Sequence, residues 1–174
     1  MKKLLATITA LTLLSLSAHA GILIDPYIGY TVSGSTSSNF TITGSDMGAR
    51  LGFTNMGLGF GVDATVAGTH TYKDATTSTD YTRSNMGVFV SYHFPILVRG
   101  YATYFVNSKI SSSAASATGT ATKLGVQYTG FPLIAIGVEY YNMAYKDAEI
   151  GGIKFTSSVT ESQTRLALSV PFNL

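Results

Sequence analysis

Past residue 20 the chain holds no apolar run near the roughly 20 residues that a membrane-crossing helix needs. The longest is Leu133-Ile134-Ala135-Ile136-Gly137-Val138. What recurs instead is period-two alternation, which puts successive side chains on opposite faces of a β-strand. In the first such segment Ile24, Pro26, Ile28, Tyr30 and Val32 share a face, against Asp25, Tyr27, Gly29 and Thr31. Met47, Ala49, Leu51 and Phe53 then oppose Gly48, Arg50 and Gly52, and Leu58, Phe60, Val62, Ala64 and Val66 oppose Gly57, Gly59, Gly61, Asp63 and Thr65. In the fourth, Met86, Val88, Val90, Tyr92 and Phe94 oppose Asn85, Gly87, Phe89, Ser91 and His93. The second half repeats the pattern: Ile96 to Val106 against Arg99, Tyr101, Thr103 and Phe105, then Thr122, Leu124, Val126 and Tyr128 against Ala121, Lys123, Gly125 and Gln127. Ile134, Ile136, Val138 and Tyr140 oppose Glu139 and Tyr141, and Leu166, Leu168, Val170 and Phe172 oppose Glu161, Gln163, Arg165, Ala167 and Ser169. The pattern predicts eight strands and an all-β fold.

The predicted connections alternate too. Three are tight, around Asn55, at Phe94-Pro95 and at Gly130-Phe131-Pro132. Four are long and rich in Ser, Thr, Gly and Asp, spanning 33–45, 69–80, 107–118 and 146–158. Short turns at one end and long polar loops at the other are the layout of an outer-membrane barrel, with the loops extracellular. Pro95 and Pro132 suit turns, because proline cannot donate to a sheet ladder.

Alternation alone also describes a soluble barrel with its apolar face inward. Composition decides against that. Charged residues make up 11%, against about 25% in soluble domains, and the polar face is mostly Gly, Ala, Ser and Thr. The apolar face is the one that must meet lipid. Its aromatics fall near the strand ends: Phe53, Tyr92, Phe94, Tyr128 and Phe172 toward the short turns, Tyr30, Tyr104 and Tyr140 toward the loops. Two aromatic girdles around an aliphatic band are expected at the two bilayer interfaces.

The first twenty residues read as an export signal. Met1-Lys2-Lys3 is a basic start, Leu4 to Leu16 an apolar stretch, and Ala18-His19-Ala20 a small-x-small cleavage site. Cleavage after Ala20 leaves a barrel over 21–174 and removes Lys2 and Lys3 from the eleven basic residues, so nine face nine acidic ones. A neutral chain lacks the basic footprint of a nucleic-acid binder. The absence of Cys excludes disulfides, thiolate metal sites and a Cys-linked lipid anchor.

Over 21–174 the sequence resembles the small eight-stranded OmpA/OmpX-type outer-membrane barrels. The most specific element is the final strand, where Leu166, Leu168, Val170, Phe172 and Leu174 alternate like the signal read by the barrel-assembly machinery. The family usually ends on an aromatic residue, whereas this chain ends on Leu174, and Pro171 is unusual in such a strand. The resemblance implies an eight-stranded antiparallel up-and-down transmembrane β-barrel in the bacterial outer membrane, a monomer. It further implies lipopolysaccharide and lipid as surroundings, with periplasmic chaperones and the assembly machinery as partners.

The inward face collects Asp25, Arg50, Asp63, Arg99, Lys123, Glu139, Glu161 and Arg165. Eight strands leave an interior just wide enough for side chains to fill, so these charges must pair. If Thr129 sits opposite Leu133, Lys123 faces Glu139; if Thr54 pairs with Gly57, Arg50 and Asp63 are diagonal neighbours. A paired plug and a poor conductor are expected, with a narrow ion or solute pore as the alternative.

Chemistry has little support. His70 has Asp74, Ser78 and Asp80 near it in sequence, but a Ser–His–Asp triad needs mutual hydrogen-bond reach, and the His-x-Ser pairing associated with lipid A deacylases is absent. His93 sits by a tight turn. No catalytic, cofactor or metal site is expected. Asp74, Asp80, Asp147 and Glu149, with Lys109, Lys146 and Lys154, are predicted as solvated loop charges beside lipopolysaccharide. Phe40, Tyr72 and Tyr81 are the candidates for recognising a host-cell or phage ligand. The function expected is a non-enzymatic envelope scaffold, with a lipid A-modifying enzyme as the remote alternative.

Overall fold

The computed structural model describes residues 21–156 and 158–174. The expected signal and its cleavage point lie outside the described residues. Ten strands follow in chain order: β1 Gly21–Thr36, β2 Thr41–Asn55, β3 Leu58–Lys73, β4 Ser78–Phe94 and β5 Val98–Ser111, then β6 Ala115–Tyr128, β7 Ala135–Ile150, β8 Ile153–Thr156, β9 Thr160–Ser169 and β10 Phe172–Asn173. Each of β1 to β7 pairs antiparallel with the next, and β9 pairs with both β7 and β1. An eight-membered ring results, because β10 continues β9 along β1. Leu23↔Asn173 and Tyr27↔Ser169 keep one register across the interruption at Val170-Pro171. Pro171 therefore breaks the ladder locally without shifting it. The gap is bridged by Val170, whose N–H donates to the Pro26 carbonyl at 3.0 Å.

The two ends are built differently. At one end Met56 (φ 50°) and Gly57 (φ 81°) make a two-residue turn with both φ positive, the geometry whose twist matches a hairpin. Ile22 and Leu174 lie here too and exchange backbone hydrogen bonds of 3.0 Å. At the other end the structure corrects the expected loops. The segments 33–45, 69–80, 107–118 and 146–158 are mostly strand: β1 runs to Thr36, β3 to Lys73, β5 to Ser111 and β7 to Ile150, with short turns between.

The reason is a ring of β-bulges. Each odd strand from β1 to β7 inserts one residue against its neighbour: Val32, Val66, Val106 and Lys146. An inserted residue reverses which side chains face inward. In β3, Asp63 and Thr65 are buried below the bulge, and Gly68, His70 and Tyr72 above it. In β5 the buried series Tyr101, Thr103, Phe105 gives way to Ser108. The even strands and β9 keep their parity throughout.

Below the bulges the exterior is a band of Ile28, Leu51, Phe60, Val62, Val88, Val90, Leu124, Val126, Val138 and Leu166, all exposed. The eight aromatics Tyr30, Phe53, Tyr92, Phe94, Tyr104, Tyr128, Tyr140 and Phe172 are exposed on the same outer surface. So wide an apolar surface does not persist in water, and a closed β-ring leaves no unpaired backbone edge in hydrocarbon. The lumen is correspondingly polar and tight. A Cβ on Gly29 would overlap the Arg165 guanidinium, and one on Gly125 the Tyr101 ring.

Leu124 lies on the lipid side of β6, midway between the bulge level at Gly119 and Tyr128 at the turn. Leu124→Arg is expected to destabilise the folded barrel by about 2–4 kcal/mol, read from urea unfolding in phosphatidylcholine vesicles.

Candidate functional site: the charged lumen

The structure buries Asp25, Arg50, Asp63, Arg99, Lys123, Glu139, Glu161 and Arg165, all at 1% exposure or less. It adds two charged residues absent from the sequence expectation, Asp46 and Arg83, and the imidazole of His70. Both lie on unbulged strands, β2 and β4, in stretches just before the points where the sequence pattern places the start of those strands. The signal that would have found them is the alternation of Arg83 with Asn85, and of Asp46 with Gly48 and Arg50, continued upward along unbulged β2 and β4. Five acidic and five basic side chains share the lumen.

They form three tiers. Nearest the tight-turn end, Asp25 Oδ2 accepts from Arg99 at 2.6 Å and pairs with Arg50 Nε at 3.1 Å. Arg99 also donates to Gln127 Oε1 and to Ser169 Oγ. The Arg50 guanidinium lies between the rings of Tyr27 and Tyr101, 4.9 and 4.1 Å from their centroids. In the middle tier Lys123 Nζ is 2.5 Å from Asp63 Oδ2, while Tyr27 and Thr103 donate to the two Asp63 oxygens at 2.7 and 2.9 Å. Tyr101 donates to Glu139 at 2.5 Å. Phe105 and Tyr141 stack beside this tier at 6.0 Å.

The upper tier spans the bulges. Arg165 pairs with Asp46, whose Oδ2 is 3.4 Å from His70 Nε2. Arg83 reaches that same nitrogen at 3.3 Å, pairs with Glu161 and donates to Tyr72 Oη at 2.8 Å. Glu161 is further held by Tyr72 at 2.6 Å, Tyr145 at 3.3 Å and Gln163.

Two expected pairings are corrected. Lys123 faces Tyr141, and Glu139 faces Gly125, two residues off the expected register. The connection from Tyr128 to Ala135 is longer than a three-residue turn, which leaves Lys123 and Glu139 as a 3.9 Å diagonal. Arg50 lies directly opposite Asp63, not diagonal to it. Arg50 also faces Asp25 on its other side and pairs there, because Lys123 already holds Asp63.

The sequence neighbours of His70 are dispersed. His70 points into the lumen, whereas Asp80 is exposed and accepts from Thr71 Oγ1 at 2.6 Å. Asp74 caps its own turn, accepting from the Thr76 and Thr77 amides at 2.8 Å each. His93 is half-buried beside the tight turn after β4. Among the described residues no three His, Asp or Glu side chains are grouped as metal ligands.

No family model matches the sequence, and no curated protein matches it. Solved structures do match in shape. Neisserial surface protein A superposes with a TM-score of 0.55 at 18% identity, covering 88% of this chain and 99% of that one. Ail of Yersinia pestis gives 0.54 at 14% identity, covering 88% and 100%. The N-terminal β-barrel domain of OprF from Pseudomonas aeruginosa gives 0.52 at 8% identity, also covering 88% and 100%. The fold is that of the small eight-stranded outer-membrane β-barrels.

Two outcomes test this geometry. Lys123→Met leaves Asp63 buried without its cation and should cost about 3–5 kcal/mol; adding Asp63→Asn should restore part of that, read as the coupling in a double-mutant unfolding cycle. The two amides that Asp74 accepts hold its carboxyl at about 2, below the usual 3.8. Its turn is therefore expected to persist at pH 4 and loosen only as pH falls through about 2. The Thr76 and Thr77 amide resonances report that midpoint.

Proposed function

We propose that this chain is a non-enzymatic scaffold of the bacterial outer membrane, closed along its axis, that displays its four bulge-bearing hairpins outside the cell. The observation that carries this reading is the lumen. Ten charged side chains in balanced number fill a ring of eight strands, with Arg50, Arg83, Arg99, Arg165, Lys123, Phe105 and Tyr141 all fully buried. Removing one buried partner strands the other charge, so such a lumen resists opening. The bilayer and its lipopolysaccharide are the permanent surroundings. Export by the N-terminal signal, chaperone escort and insertion by the assembly machinery follow from an outer-membrane address.

Recognition, on this reading, belongs to the hairpin tips, since rigid scaffolds carry binding on their connections. Ail of Yersinia pestis has been solved with the heparin analogue sucrose octasulfate. A polyanion suits this chain poorly, because Glu149 sits directly opposite Lys154 across β7 and β8. An uncharged or mixed-charge partner fits better.

One observation favours the alternative of a narrow pore. Among the described residues, His70 Nδ1 and Arg165 Nε are buried with no protein hydrogen-bond partner, which marks places where water could enter the lumen. Planar-bilayer recording of the purified, folded protein separates the readings. No steady single-channel current is expected; steady currents would replace the scaffold with a pore. Extending the assay, His70→Ala should leave the lipid A profile of expressing cells unchanged, and an altered profile would restore the enzyme reading.

A further inference from the structure

The bulges do more than lengthen the strands. Above them, on the β5–β8 side, the polar and apolar faces exchange places. There Lys109, Thr118 and Asp147 align across neighbouring strands on the outer face, and Glu149 sits beside Lys154. On the inner face Ile110 aligns with Ala117, Ala148 and Phe155. Hairpins surrounded by water had no need of an apolar inner wall. This one encloses a cup of about 390 Å³ to which all four outer hairpins contribute, within the size range of small-molecule sites.

Phe40, Tyr81, Ile110, Ile150 and Phe155 wall the cup, and Tyr72, Tyr145 and Glu161 floor it. Tyr72 and Tyr81 meet edge to face at 5.0 Å. The floor offers no free charge: the Glu161 carboxylate already receives Arg83, Tyr72, Tyr145 and Gln163. A charged ligand would lose its water here with no counter-charge to receive it. An uncharged one gains aromatic and aliphatic contact, with the hydroxyls of Thr36, Ser38, Thr77 and Thr79 at the rim for a single polar group. Below Glu161 the plugged tiers make the cup blind.

We propose that this vestibule binds a small, uncharged, mainly aromatic or aliphatic molecule carrying at most a hydroxyl-type polar group. The site stands apart from the scaffold role and holds whether or not the lumen conducts. The test is nuclear magnetic resonance titration of the isotope-labelled protein in phosphatidylcholine nanodiscs, with naphthol as the probe and naphthalene sulfonate as its charged counterpart. Naphthol is expected to give saturable shifts at Ile110, Ala117, Ile150 and Phe155, and naphthalene sulfonate none. Ile110→Asp should weaken naphthol binding about tenfold or more, equivalent to at least ~1.4 kcal/mol, while Asp147→Asn on the outer face leaves it unchanged. Heat-modifiable gel migration verifies that each variant folds, and Ile150→Asp at the hairpin tip replaces Ile110→Asp if that variant does not. Non-saturating shifts shared by Leu124 and Val138 would mean partition into lipid and overturn the site. Equal binding of the sulfonate, or no loss in the Asp variant, would overturn it as well.

Discussion

In hydrocarbon every backbone N–H and C=O must find its partner within the protein, since no water is there to take it. For this chain that demand falls hardest on the seam where β1 meets β9 and β10. The seam contains Pro26 and Pro171, two residues that cannot donate to a ladder. It closes because Pro171 interrupts the last strand without changing its register, and because Val170 and the Ile22–Leu174 backbone pair carry the bonds around the interruption. Everything else, the lipid-facing band and the enclosed charges alike, presupposes that closure.

Closure at eight strands then sets the interior. The ring is too narrow for water to solvate ten charged side chains, so each tier couples charges from strands far apart in sequence: Asp25 with Arg99, Asp63 with Lys123, Asp46 with Arg165, Glu161 with Arg83. These pairs join strands that are not neighbours in the ring, and the tyrosines between them serve both as donors and as cation-facing rings. Glycines such as Gly29 and Gly125 supply the room. Such a network is stable only complete, because removing one partner leaves the other charge buried alone.

Much of this was legible in the residues. Below the bulges, alternation places Asp25, Arg50, Asp63, Arg99, Lys123, Glu139 and Arg165 inward, and the eight exposed aromatics outward, because a strand has only two faces. Legibility stopped where β1, β3, β5 and β7 each gain one residue. After Val32, Val66, Val106 and Lys146 the parity reverses, and a reversed pattern rich in Ser and Thr reads as the end of a strand. The apolar vestibule was read there as solvated loop, and Asp46 and Arg83 were missed because β2 and β4 begin earlier than their alternation was followed. Phe40, Tyr72 and Tyr81, singled out as aromatic residues in loops, line that vestibule instead.

The sequence alone determined the eight-membered ring, its antiparallel order and which face meets lipid. Those follow from side-chain periodicity, and periodicity is local. Only the tertiary structure decided which charge pairs with which, because pairing across a lumen depends on register. Register shifts by two residues when one turn is longer than it looks, as it did for Lys123 and Glu139. The same holds for the cup at the outer mouth. Its walls come from four hairpins separated along the chain, and no segment read alone reveals that they converge.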